Sequence, residues 1–95
     1  MVVSQDTLKE LFYYIMSNVN EKFLPDQASN MLAEANFERY YPKYFVDAMI
    51  QEGWLAGFFE KQGNEYKLTV RGRARSDMVS PIDLKLFTKM LMEAW

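Results

Sequence analysis

The 95-residue chain reads as a single, mainly helical domain broken by one short β-hairpin, in the order α–α–α–β–β–α–α. Three observations predict this. Apolar residues recur at three-to-four spacing through most of the chain, which places them on one face of each helix. One stretch departs from that pattern: the short runs WLAGFFE and EYKLT flank the turn residues Lys61-Gln62-Gly63-Asn64, as two strands of a hairpin would. Helix starts led by Ser, Asp, Thr or Pro punctuate the rest. No internal repeat, low-complexity tract or linker divides the chain, so residues 1–95 are expected to form one unit.

The first helix is expected to start near Ser4 or Asp6, both good N-caps. Leu8, Leu11, Phe12, Ile15, Met16 and Val19 then mark its core stripe, and Asn18, Asn20 and Glu21 its exit. Lys22-Phe23-Leu24-Pro25 is a short apolar link that suits a small strand pairing with the hairpin, ended by Pro25. Asp26 is read as the cap of a second helix, QASNMLAEANF, with Ala28, Met31, Leu32 and Ala35 facing inward. The run NFERYY follows as an irregular turn. Pro42 fits the first position of a third helix, where its missing N–H would be unpaired in any case. Phe45, Val46, Met49 and Ile50 form the buried side of that helix, and Gly53 is expected to stop it. After the hairpin, Thr69 caps a short fourth helix reaching Arg75 and Met78. Ser80-Pro81-Ile82-Asp83 starts the last helix, at about residues 80–95, with a Ser cap and Pro at the first position. Its apolar residues cover more than half the circumference, more than a terminal helix on a small domain needs.

Composition removes several function classes. With 49% hydrophobic and 25% charged residues the chain is globular, and its seven Met and 16% aromatics are the material of interfaces. There is no Cys and no His. A thiolate nucleophile, a Cys-ligated metal and a Ser–His relay are thereby excluded. No Gly-rich phosphate loop or nucleophile elbow is present. The carboxylate pairs Asp6/Glu10 and Glu34/Glu38 read as solvated helix faces. No catalytic residue, metal site or cofactor is expected. No apolar run is long enough to span a membrane, and Asp6, Lys9 and Glu10 stand where a signal peptide needs an apolar core. A cytoplasmic location is the expectation.

Formal net charge is −2, unevenly distributed: residues 1–38 carry −4, residues 39–75 carry +3, and residues 76–95 carry −1. The positive block includes the segment from Pro42 to Arg75, PKYFVDAMIQEGWLAGFFEKQGNEYKLTVRGRAR. Helix, hairpin, then Leu68-Thr69-x-x-Gly72-Arg73 resembles the second half of a winged helix-turn-helix domain, as in small regulators of the MarR and PadR kind. The resemblance covers roughly residues 5–78, and its most specific piece is the hairpin with the motif that follows.

That resemblance implies a DNA-binding transcriptional regulator, with the third helix in the major groove and the wing on the flanking backbone. Lys43, Tyr44, Asp47, Ala48 and Gln51 would form the outward face of the third helix. Lys43 would meet phosphate, and Tyr44 and Gln51 sugar or base edges. Asp47 would repel phosphate there, though it can accept a hydrogen bond from a cytosine amine, and Glu52 adds a second unfavourable charge. Lys61, Lys67, Arg71, Arg73 and Arg75 would neutralise phosphates, with Gln62 and Asn64 at the tip of the wing. The plainer reading makes these arginines solvated helix residues paired with local acids. From the cation-and-aromatic run Arg39–Tyr44, Arg39 joins the DNA-facing set, whereas Tyr41 plugs the crevice between helices.

Double-stranded DNA and a second copy of the chain are the expected partners. The homodimer would form through the last helix, at Phe87, Met90, Leu91 and Trp95. The alternative is a winged-helix protein-interaction module, such as an assembly subunit or a phage or mobile-element protein, without direct DNA reading. Its supports are the negative net charge, Asp47 and the abundance of Tyr, Phe, Met and Trp. A continuous positive band over the third helix and wing favours DNA. A band broken by Asp47, Glu52 and Glu60 beside an apolar patch favours a protein.

Overall fold

The computed structural model of the chain describes residues 2–94. Its elements are α1 (Gln5–Met16), α2 (Pro25–Glu34), α3 (Lys43–Leu55), β1 (Phe59–Gln62), β2 (Glu65–Leu68), α4 (Val70–Ser76) and α5 (Pro81–Ala94). This is the expected order, and it matches a winged-helix layout. β1 and β2 pair antiparallel around the Gly63-Asn64 turn, with Phe59 opposite Leu68 and Gln62 opposite Glu65. Phe23 forms the small third element foreseen for it. Its N–H and C=O exchange 2.8 Å hydrogen bonds with Tyr66, which ties the α1–α2 link to the hairpin. Among the described residues, no helix is long and apolar enough to cross a membrane.

Capping chemistry sets the helix ends. Ser4 Oγ accepts the Thr7 N–H at 3.2 Å and opens α1. Asp26 is not the cap of α2, however. The helix begins two residues earlier than expected, at Pro25 with Leu24 as its N-cap, and the Gln27 side chain accepts the Leu24 N–H at 2.8 Å. The end of α2 also comes sooner than expected. Asn36 takes a φ of +62°, so that Phe37 N–H reaches Leu32 C=O at 2.8 Å and Asn36 N–H reaches Ala33 C=O at 2.9 Å. That pair of bonds is a Schellman ending, and it buries Phe37. Pro42 is the N-cap of α3 rather than its first helical residue.

Gly53 does not stop α3. The helix continues to Leu55 and ends in a second Schellman turn at Gly57, whose φ is +82°. Phe58 N–H bonds Gly53 C=O at 2.7 Å, and Gly57 N–H bonds Trp54 C=O at 3.1 Å. Trp54 and Leu55 are therefore helical, the strand starts only at Phe59, and Lys61 and Gln62 lie on β1 rather than in the turn. Gly53 is a packing glycine: a Cβ there would stand 2.6 Å from the Phe59 ring and 2.7 Å from the Tyr13 hydroxyl.

The core is aromatic and centred on Phe12. Tyr13, Tyr41 and Phe59 surround its ring at centroid distances of 6.1, 6.2 and 6.2 Å. Tyr41 plugs the helix crevice as foreseen, and its buried hydroxyl donates to Leu8 C=O at 2.8 Å. Burial pushes the Tyr41 phenol well above its ordinary pKa.

α5 packs on α1 and places Leu86, Phe87, Met90 and Leu91 against the core. Met90 is fully buried inside the chain, and Phe87 lies 5.7 Å from the Tyr14 ring and 5.8 Å from Phe37. Met90 is thus not available to a second copy, and Phe87 and Leu91 are half-buried against their own core. The apolar groups that α5 leaves exposed are Ile82 and Met92 instead. Trp95, the fourth residue of the expected dimer contact, lies outside the described residues.

Candidate nucleic-acid interface

The residues expected to meet DNA divide among four places. Lys43, Gln51, Lys61 and Asn64 come together. They line a groove of about 440 Å³ between the starts of α2 and α3 and the hairpin, floored by Leu24, Pro25, Ile50 and Tyr66. Its helical wall is not free cationic surface. The Lys43 ammonium bonds the Asp26 carboxylate, and Asp47 Oδ2 stands 3.7 Å from the same nitrogen. The Asp26 hydrogen bond, reinforced by the charges of both acids, raises the Lys43 pKa. One cation held by two carboxylates leaves this wall with a net negative charge. Lys61 projects from the hairpin with its ammonium 4.8 Å from the Trp54 ring centre and 5.6 Å from that of Tyr66. Tyr44 is exposed on the outward face of α3 with Ala48 and Gln51.

The second place is the base of the wing. Lys67, Arg71 and Arg73 line one groove of about 580 Å³ with Glu60, Gly57, Thr69 and Val70. Two contacts build it. Thr69 Oγ1 accepts the Gly72 N–H at 3.1 Å, capping α4, and donates to Gly57 C=O at 2.7 Å. Gly72 lets α4 approach closely, since a Cβ there would lie 2.3 Å from Phe58 C=O. Arg71 sits over the Phe58 ring at 5.1 Å and is otherwise exposed. Among the described residues, neither Lys67 nor Arg71 has a carboxylate within ion-pair distance. Arg73 is partly engaged, donating to Ser17 C=O and Asn20 Oδ1, each at 3.3 Å.

Arg75 and Arg39 fall elsewhere. Arg75 covers Tyr13 and Phe58, its guanidinium carbon 5.2 and 5.5 Å from the ring centres, and acts as packing between α4 and α1. Arg39 pairs with Glu93 of α5 at 3.0 Å and stacks on Tyr40. Tyr40 also donates to Glu93, at 2.8 Å. The sequence reading missed Asp26 and Glu93 as partners of these cations. They stand 17 and 54 positions away, beyond any local pattern. It also missed Leu55, placed in a strand there but exposed on α3 here.

Comparisons of the chain with protein-family models, curated proteins and solved structures return no match. Among the described residues, no group of three or more acidic side chains stands close enough to hold a metal ion.

Proposed function

We propose that the protein is a winged-helix protein that binds double-stranded DNA, and that it does so from the base of the wing rather than through α3. One observation carries this reading: Lys67, Arg71 and Arg73 converge on a single groove. Phosphate oxygens need cations that are not already neutralised. Lys67 and Arg71 meet that condition, and Lys43 and Arg39 do not. The winged-helix element order supports the same reading, because the wing is the part of this layout that follows the backbone beside a groove.

The test is a salt titration of duplex binding with the Lys67→Ala/Arg71→Ala double variant. Both side chains project from the wing base, so the fold should survive. Affinity should fall for every duplex sequence, and the slope of log K against log salt should lose about 0.9 for each contact removed. A variant that keeps the wild-type affinity and slope would overturn the proposal.

A further inference from the structure

The outward side of α3 is a different kind of surface. Tyr44, Ala48, Gln51 and Leu55 follow at i, i+4, i+7 and i+11, so they form one stripe along the helix. Tyr44 is 78% exposed and Leu55 73%, with Ala48 and Gln51 also exposed between them. No cation interrupts the stripe. Beside it runs the apolar-floored groove with Asp26 and Asp47 on its helical wall. Large apolar side chains at these intervals are what a partner helix covers.

Charge decides the occupant. α2, α3 and their connection, residues 25–55, hold five carboxylates (Asp26, Glu34, Glu38, Asp47 and Glu52) against two cations, a net −3. Both cations, Arg39 and Lys43, are already paired, and Glu52 pairs with Lys9 of α1 at 3.2 Å, so Asp26 and Asp47, which share one lysine, are the acids this face offers a partner. Such a surface repels a nucleic acid. A second copy docked face to face would oppose two surfaces of the same sign. A partner that is apolar on one side and basic along its flanks satisfies both the stripe and the charge.

We propose that the outward face of α3 is a docking surface for a basic amphipathic helix of a partner protein. Its apolar side chains cover Tyr44 and Leu55, and its lysines or arginines pair with Asp26 and Asp47. This inference is independent of DNA binding at the wing, because it uses none of the same side chains.

Titrating the isotope-labelled full chain with two synthetic helical peptides tests it by NMR. Both carry a leucine face; one has lysine on its polar face and the other glutamate. The lysine peptide should shift the amides of Tyr44, Ala48, Gln51 and Leu55, and the glutamate peptide should not. Tyr44→Ser/Leu55→Ser and, separately, Asp47→Lys should each weaken binding by about tenfold or more. Lys67→Ala/Arg71→Ala should leave peptide binding unchanged while lowering duplex affinity. Equal response to both peptides overturns the proposal, as do shifts away from α3, the same α3 shifts produced by duplex DNA, or self-association of the free chain through these residues.

Discussion

A methyl group is too large for position 53. Tyr13 comes from α1 and Phe59 from β1, and both press on the α3 backbone at Gly53. Gly53→Ala should therefore lower stability by about 2 kcal/mol, because overpacking outweighs the helix propensity gained. Urea denaturation of wild type and variant checks this, and an unchanged or higher midpoint would show that the two rings can move aside. The same residue marks where sequence reading stops. Gly53 and Gly57 both sit near the end of one apolar helix, and either can serve as its stop. Only the rings packed on the first, brought from distant parts of the chain, tell them apart. Tyr41, Thr69 and Ser80, whose Oγ accepts the Asp83 N–H at 3.2 Å, were legible because local chemistry decides them, as a cap or as an apolar body with a polar tip. The roles of Lys43 and Arg73 were not, since Asp26 for the first, and Ser17 and Asn20 for the second, lie far away in sequence.

At the scale of elements, Thr69 joins the hairpin to α4. Its hydroxyl serves the α4 N-terminus and the Gly57 carbonyl at once. Thr69→Ala should cost about 1–2 kcal/mol, more than an N-cap lost from an isolated helix, because it also leaves that carbonyl without its donor. Thr69→Ser should recover most of the loss. Thermal melts of the three proteins measure it, and equal melts for Ala and Ser would deny the hydroxyl any role. The apolar width of α5 was plain in the sequence, but its use was not. Periodicity reports which side chains want burial and is silent on what buries them. Here Tyr14 and Phe37 cover Phe87, so that part of the stripe packs on its own domain.

For the molecule as a whole, acidity matters where α1 meets α5. Hydrogen bonding to Asp83 raises the Glu10 pKa, with smaller effects of the same sign from desolvation and from the Asp83 and Asp6 charges; Arg75 opposes them. The folded state then holds this proton more tightly than the unfolded chain does. That contribution to stability is complete below the ordinary glutamate value of 4.5 and is lost as pH rises through the raised one. Glu10→Gln should remove this decline and stabilise the protein at neutral pH. Unfolding midpoints of both forms between about pH 4 and 7 test it, and parallel curves would rule the pair out. Charge was the property least visible in one dimension. Counted along the chain, residues 39–75 form one positive block, yet the fold divides it. α3 sides with the acidic α2, and the excess of +3 falls on residues 59–76.

The division of charge between helix pair and wing also gives the molecule a permanent electric dipole within an envelope of 37 × 25 × 20 Å. In dilute buffer a dipole on this scale feels a torque from a charged surface before contact, and turns the wing toward a polyanion and the α2–α3 side away. At physiological ionic strength the field fades over about 8 Å, less than any dimension of the molecule. Orientation is then settled only in the last layers of water, and each surface responds to whatever lies immediately in front of it.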